Sequence, residues 1–493
     1  MQTMITSMDL RALPRLQFYA KFVQSIVVHT GVRTHCIHPG LISEFTQAVQ
    51  FLHSPLFPHL VSLDCVLYGP DATRSSGVWL VTRPSNITLS ILDSTEAVYL
   101  PVIRSLYHHG ASLTSLSLHI GETSGFSEAF NDCFSSVLKQ LVNLVCLSAD
   151  WKFLFTPIVW TCIAQLPSLR EINSPFLQKG FRLDIFGSSA WDGFEPPTLE
   201  TPFPSLHTIE IAIPSQLAVI VLGYYPLGGV RFLRMLLTDE DDPSTEQSLV
   251  QIVTMCTGLH GLLLVTPGLK FPVLKLPLSP NLTHLVVCTD GVETINNTDL
   301  VNLCSKMPNL EVLGLIPTEV QIHLEDNNYP PGLTLEVIRS IANVCPRLER
   351  ASLYIDTDVS GSQFSLDDPP LPSNHPLSTL CFAPSQVRNH SEVAMYLCAM
   401  FQDAQRTPTI MAPAFNFYDH FIWDGPHHNT FRDSEVEWGR VAELMHSLRR
   451  RVIPSFRSRL AQKDAELEAL REKLRSYLPG GGSNEGSSWR SFI

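Results

Sequence analysis

A phrase of the form Pro-x-Leu-x-x-Leu-x-Leu recurs along most of this chain, most completely as Met307-Pro-Asn-Leu-Glu-Val-Leu-Gly-Leu315. Side chains of a strand alternate between its two faces. Leu310, Leu313 and Leu315 are therefore expected to point inward, with Val312 and Gly314 facing the other way. Clear copies lie at 57–63, 112–118, 142–147, 166–172, 203–211, 230–235, 258–264, 280–287, 346–353 and 376–382, and a weaker one surrounds Ile87, Leu89 and Ile91. Their leading apolar residues are spaced by roughly 29 residues, at the long end of the leucine-rich range. That length leaves room for a helix in each unit, and the segments 96–107, 127–141, 157–166, 245–256, 299–307 and 335–345 carry apolar residues at the three-to-four spacing a helix needs. Several of them stop at a Pro or Gly ahead of the next strand. One strand and one helix cannot bury their own apolar faces, so neighbouring units must stack. The pattern predicts an α/β fold, a leucine-rich-repeat-like solenoid (horseshoe) of about 12 irregular strand–helix repeats, with a C-terminal helical cap and a terminal helix.

The competing arrangement is a doubly wound α/β domain, which also alternates strands and helices. Such a domain rarely needs so many strands of one phrasing, and no Gly-rich phosphate loop follows any of them. Charged residues make up 16% of the 493 and apolar ones 44%, which argues for a packed chain rather than a disordered one. A net charge of −13, with no Lys/Arg stripe interleaved with aromatics, opposes nucleic-acid binding. The 11 cysteines include no Cys-x-x-Cys pair, so reduced core thiols in the cytoplasm or nucleus are expected. Residues 1–16 lack the apolar run of a signal peptide, and the greasiest stretch, 217–230, is broken by Gly223, Pro226, Gly228 and Gly229. Neither secretion nor a membrane span is expected. The Asn-x-Ser/Thr triplets at Asn86, Asn281, Asn296 and Asn389 are then chance matches.

Along the chain, 1–21 reads as a lead-in and 22–403 as the repeat array, starting with a strand at 22–28 and a helix at 45–53. Inserts at 181–202, 238–244, 317–332 and 356–375 are rich in Pro, Gly, Asp and Ser and are expected to be surface loops. A helix is expected at 392–401. Residues 404–453 read as an aromatic cap followed by a helix at 434–451, with Ser434 as N-cap and Glu437 completing a capping box. Arg449, Arg450, Arg451 and Pro454 should separate that helix from another within 454–478. There Leu460, Leu467 and Leu474 fall seven apart, Phe456, Leu470 and Tyr477 take the companion positions, and Lys463 interrupts the seam. This is a short coiled-coil pattern, implying a weak homodimer. The tail 479–493 is Gly/Ser-rich and expected to be disordered.

Chemistry-bearing motifs are sparse. No Gly-x-Ser-x-Gly, His-Glu-x-x-His or Walker-type loop occurs. His420, His427 and His428 cluster with Asp419 and Asp424, but their spacing matches no metal-ligand pattern. His108 and His109 are expected to cap helix carbonyls. The expectation is a protein without catalytic residues, metal or cofactor.

The run Arg15-Leu-Gln-Phe-Tyr-Ala-Lys-Phe-Val-Gln-Ser-Ile26, the Pro-x-Leu-x-x-Leu-x-Leu strands and the Cys-Pro-Arg-Leu turn at 345–348 together resemble the leucine-rich-repeat F-box proteins of mushroom-forming fungi. The resemblance extends over residues 15 to about 450 and rests on phrasing. It implies the substrate receptor of a cullin-RING (SCF-type) ubiquitin ligase, in which an F-box grips a Skp-type adaptor and the repeats hold the target. The residues ahead of Arg15 are too few for an F-box, so the resemblance leaves two expectations: an F-box upstream of Met1, or a binding array that has lost its ligase coupling. A free-standing scaffold dimerising through its C-terminal helix is the other reading. If the family role holds, the non-leucine strand positions form a concave partner-binding face. These are Ser62 and Asp64, Ser115 and Ser117, Cys146 and Ser148, Glu171 and Asn173, Thr208 and Glu210, Phe232 and Arg234, His284, Arg350 and Ser352. A small, polar surface of mixed sign suits a protein or peptide target.

Overall fold

A computed structural model describes residues 13–30, 57–67, 83–92, 95–121, 127–149, 154–173, 194, 197–223, 227–237, 243–266, 273–289, 292–317, 331–359, 370–382, 385–401, 408–411 and 428–477. Its centre is a 14-stranded sheet whose strands lie side by side in chain order, every described pairing being parallel. The strands are β1 Ser25–Thr30, β2 Ser62–Leu67, β3 Asn86–Ile91, β4 Ser115–Ile120, β5 Cys146–Ala149, β6 Glu171–Asn173, β7 Thr208–Ile213, β8 Phe232–Leu237, β9 Gly261–Thr266, β10 His284–Thr289, β11 Val312–Ile316, β12 Arg350–Leu353, β13 Thr379–Cys381 and β14 Thr409–Met411. Parallel neighbours require a long crossover, and the repeat length read from the sequence supplies one for each step. The result is an α/β, solenoid-like array.

Two rows of side chains hold the layers together. In β2, Leu63, Cys65 and Leu67 are buried while Ser62, Asp64 and Val66 are half-exposed, and β4 starts the same way with Leu116 and Leu118 inside. The inward row runs through register-matched partners such as Leu285, Leu313 and Ala351. It packs in one continuous core with helix residues. These come from α2 Glu96–Ser105, α3 Glu128–Leu138, α4 Pro157–Ala164, α5 Ser215–Gly223, α6 Pro243–Met255, α7 Asn297–Ser305, α8 Val337–Val344 and α9 His390–Met400. Adjacent helices touch, α2 on α3, α3 on α4, α5 on α6 and α7 on α8. Stacking thus proceeds in both layers, as a unit unable to close its own core requires.

A backbone lattice fixes the stagger. The carbonyl of the residue just before a strand accepts two N–H groups from the next repeat. Thr114 O receives Val145 N at 2.7 Å and Cys146 N at 3.1 Å, Arg231 O receives His260 N at 2.8 Å and Gly261 N at 2.9 Å, and Glu311 O receives Glu349 N at 2.8 Å and Arg350 N at 3.1 Å. The apolar residue two places ahead of each strand is thereby drawn into the core. Leu169, Leu206 and Val230 are buried, and the residues that follow them, Arg170, His207 and Arg231, are exposed.

The six helices expected between strands are all present. A seventh, α5, was not expected. The first strand starts at Ser25 rather than 22, and the aromatic run ahead of it lies in helix α1, Leu13–Ala20. The sheet continues to Met411, inside the segment read as an aromatic cap. Asn296 and Asn389 are helix N-caps, Asn296 in a capping box with Asp299. Ser434 is not an N-cap: helix α10, His428–Ser447, starts before it, and Glu437 Oε2 accepts the N–H of Val387 at 3.0 Å instead. Nor does Pro454 separate one helix from the next. A π-turn, Leu448–Val452, joins α10 directly to α11, Ile453–Tyr477. Proline lacks an N–H, and the first turn of a helix beyond a widened turn is where that lack is tolerated.

Leu310, Leu313 and Leu315 are buried as expected, but Val312 and Gly314, expected to face away, are buried too. The cause is close approach, since a Cβ added at Gly314 would lie 3.0 Å from Val286 Cγ1 on the adjacent strand. Among the described residues the cysteines are free thiols, and burial pushes Cys65 and Cys256 up to about 12, which leaves them unreactive. Among those residues no helix is long and apolar enough to cross a membrane. The helix expected at 45–53, most of the inserts, the cluster at 419–427 and the tail from 479 lie outside the described residues.

Candidate functional site: the outer face of the sheet

The expected partner-binding residues fall into two register rows on the face opposite the leucines. One row runs Ser62, Asn86, Ser115, Cys146, Glu171, Thr208, Phe232, Gly261, His284, Val312 and Arg350, each the Cα partner of the next. The other holds Asp64, Thr88, Ser117, Ser148 and Asn173, then resumes after the short β6 with Glu210, Arg234, Leu263, Val286, Gly314 and Ser352. Asn86 and Thr88 escaped the sequence reading because β3 lacks a full Pro-x-Leu lead. Ser148, Glu210 and Ser352 are in register but buried, so they shape this face without being exposed on it.

The face divides along its length. Over β2 to β5 it is small and polar. At β7 and β8 a cross-strand ion pair takes over, with Arg234 Nη1 donating to Glu210 Oε2 at 3.1 Å. Beyond it Leu263 and Val286 make the second row apolar and buried. The strand-leading residues add a third row that the two-residue period does not reveal. Arg170, His207, Arg231 and His260 lead four consecutive strands, β6 to β9, about 4.8 Å apart. Thr283, Glu311 and Glu349 lead the next three, so one margin of the face turns from basic to acidic. The signal that would have found them is the first of the two variable residues in Leu-x-x-Leu.

Between these margins Phe232 and His284 meet across β9, with ring centroids 6.1 Å apart in an edge-to-face arrangement. They are two strands apart and touch because the strand between them carries no side chain there. A Cβ added at Gly261 would lie 2.5 Å from Phe232 Cδ1. Gly261→Ala should therefore displace the Phe232 ring and cost about 1–3 kcal/mol. Adding Phe232→Ala should recover some of that loss, as a denaturation double-mutant cycle would read. Independent, additive effects would refute the contact.

His284 is half-buried, its Nδ1 2.8 Å from Thr283 Oγ1. Burial lowers its pKa from 6.5, Arg350 and Arg234 push the same way, and Glu311 and Glu349 oppose them. A histidine with a lowered folded pKa binds fewer protons folded than unfolded, so stability falls as pH drops below about 6.5, until the folded form protonates as well. Melting temperatures across that window should fall less steeply for His284→Gln than for the wild type. Equal slopes would assign the acid sensitivity elsewhere.

Burial and the Glu171 charge push Cys146 up to about 11, and its sulfur accepts a hydrogen bond from Asn173 Nδ2 at 3.3 Å. Among the described residues no group of three or more His, Cys, Asp or Glu side chains is placed to hold a metal. His109, expected to cap carbonyls, has a buried side chain, and its own carbonyl is capped by the N–H of Ser112 at 2.9 Å. A cavity of about 220 Å³ bounded by Val253, Cys256, Leu259, Leu262 and Leu282 lies among the leucines, on the opposite side of the sheet. No protein-family model matches the chain, and no curated protein resembles it closely enough to count as a relative.

Proposed function

We propose that this chain is a non-catalytic binding module of the cytoplasm or nucleus, curved as a leucine-rich-repeat horseshoe, whose outer sheet face is the concave surface that holds a protein or peptide target. The observation that carries this reading is the continuous register row from Ser62 to Arg350, most of whose side chains are at least partly exposed and chemically varied. A margin changing from basic to acidic and an aromatic pair at mid-length give such a surface direction and specificity. In this reading the target is recognised by an extended patch. The resemblance of 15–26 and 345–348 to fungal F-box proteins supports a further step, in which the module is the substrate receptor of a cullin-RING ubiquitin ligase.

The test is affinity purification of the full-length protein from its native cell, with mass spectrometry of what co-purifies. Exposed positions serve as probes: Arg231→Glu and Arg350→Glu are expected to lose the target while leaving the melting temperature within a few degrees. Recovery of a Skp-type adaptor and a cullin with both the wild type and these variants would support the ligase role. A target retained by both variants would overturn the assignment of the face.

A further inference from the structure

We propose that helix α11 is a dimerisation element, forming a parallel, in-register two-stranded coiled coil with a second copy of the chain. The helix spans 25 residues, and every residue from 454 to 474 is exposed. Phe456, Leu460, Leu467, Leu470 and Leu474 are each more than half exposed. A long helix exposed along its length, as this one is among the described residues, is marginal in water, and large apolar side chains held out along one stripe call for a partner. The partner is identified by the helix's own pattern. With Leu460, Leu467 and Leu474 at one seam position and Phe456, Lys463, Leu470 and Tyr477 at the other, the stripe is self-complementary at the seven-residue repeat of a coiled coil.

The flanking charges select orientation. In a parallel pair, the residue before each seam leucine faces the residue five places on in the other helix. Arg459 then meets the partner's Asp464, and Glu466 meets the partner's Arg471, both opposite in sign. Within one helix Arg471 Nη1 is 2.8 Å from Glu468, an exposed pair of small worth that does not hold Arg471 back. An antiparallel alignment setting Leu467 against Leu470 would also find charge partners, but Phe456 would run off the end and Lys463 would sit against Leu474. The parallel arrangement keeps Phe456 in the seam. It also stacks Lys463 on its counterpart, where the long side chain reaches the helix edge at a cost in affinity. The dimer is therefore expected to be concentration-dependent. Two sheets would be tethered side by side, so a target with two sites would gain avidity.

Sedimentation of the full-length protein across micromolar concentrations tests this directly. The mass is expected to rise from 55.0 kDa towards twice that value, and Leu467→Lys should abolish the rise. Glu466→Arg and Arg471→Glu should each weaken association by up to about tenfold, and the two together should restore it. These positions are exposed, so each variant should keep the wild-type sheet and cap, and circular dichroism should lose at most the helicity of α11. Leu467→Cys should form a covalent dimer with itself under mild oxidation, measured against the unmodified chain. A monomer at every concentration would overturn the proposal, as would a dimer indifferent to Leu467→Lys. Cross-linking only between Leu467→Cys and Leu470→Cys chains would overturn the parallel assignment.

Discussion

Replacing Trp438 with alanine is expected to destabilise the protein by about 3–5 kcal/mol and to loosen the C-terminal end of the sheet ahead of the rest. The last repeats of a stacked array have no following unit to cover their core. Here the cover is α10. Trp438 is fully buried, its ring lies 4.5 Å from Phe382 just past β13, and Nε1–H donates to the carbonyl of Ser385 at 2.9 Å. Ser385 Oγ in turn accepts the N–H of Ile355 at 2.8 Å, so a single indole connects the cap helix to the turn after β13 and to the chain leaving β12. Alanine removes the ring and leaves a buried carbonyl short of a donor. Phenylalanine keeps most of the ring and should cost much less, on the order of 1–3 kcal/mol for the lost hydrogen bond and the unmet acceptor. Chemical denaturation gives the totals, and hydrogen exchange shows where protection is lost. A loss below about 1 kcal/mol for Trp438→Ala, or protection lost evenly along the sheet, would deny α10 this role.

The sheet was legible because its signal is redundant. A leucine displaced from one copy is replaced by the same register position in the next, so even the weak copy at Ile87, Leu89 and Ile91 proved a full strand with all three residues buried. Helix α5 escaped for the opposite reason. Leu217, Ala218, Val221 and Leu222 face the core, but Val219 and Ile220 between them are apolar as well, so the segment shows no polar face and no period. Ser434 and Pro454 misled because capping and breaking signals are local. Ser434 is followed by Glu437 in capping-box spacing, yet the carboxylate is engaged by Val387, 50 residues away in sequence. Contacts that distant leave no local trace.

The outer face was legible as rows and opaque as a surface. Alternation grouped its residues into shared register rows. It could not tell that Val286 closes over Gly314, or that Phe232 reaches across Gly261 to His284, because both depend on which strand positions carry no side chain. Glycine inside a strand is the sequence's mark of such close approach. Both glycines stood within recognised copies of the repeat.

Arg234→Ala is expected to cost about 2–4 kcal/mol, a large effect for a residue one-third exposed. Its carboxylate partner is the reason. Glu210 is buried, lies directly opposite Arg234 in register on the adjacent strand, and holds the guanidinium at 3.1 Å. Removing one member of a fully buried ion pair typically costs about 3–5 kcal/mol, because the charge left behind has lost both water and its partner. The 34% exposure of the arginine side chain admits some solvent and lowers the expected loss to about 2–4 kcal/mol. Glu210→Gln should cost less, since a neutral amide needs no counter-charge. Glu210→Leu combined with Arg234→Leu should come close to neutral, since apolar neighbours such as Leu263 already flank the pair in register. A double-mutant cycle read by denaturation should return a coupling of about 1–3 kcal/mol. Additive single effects would mean that the pair does not join β7 to β8. A strong coupling would also separate two roles of charge on this face. The Glu210–Arg234 pair would hold its shape between the polar and apolar stretches, and contact with a target would fall to the exposed Arg231 and Arg350, whose reversal alters the face without breaking that pair.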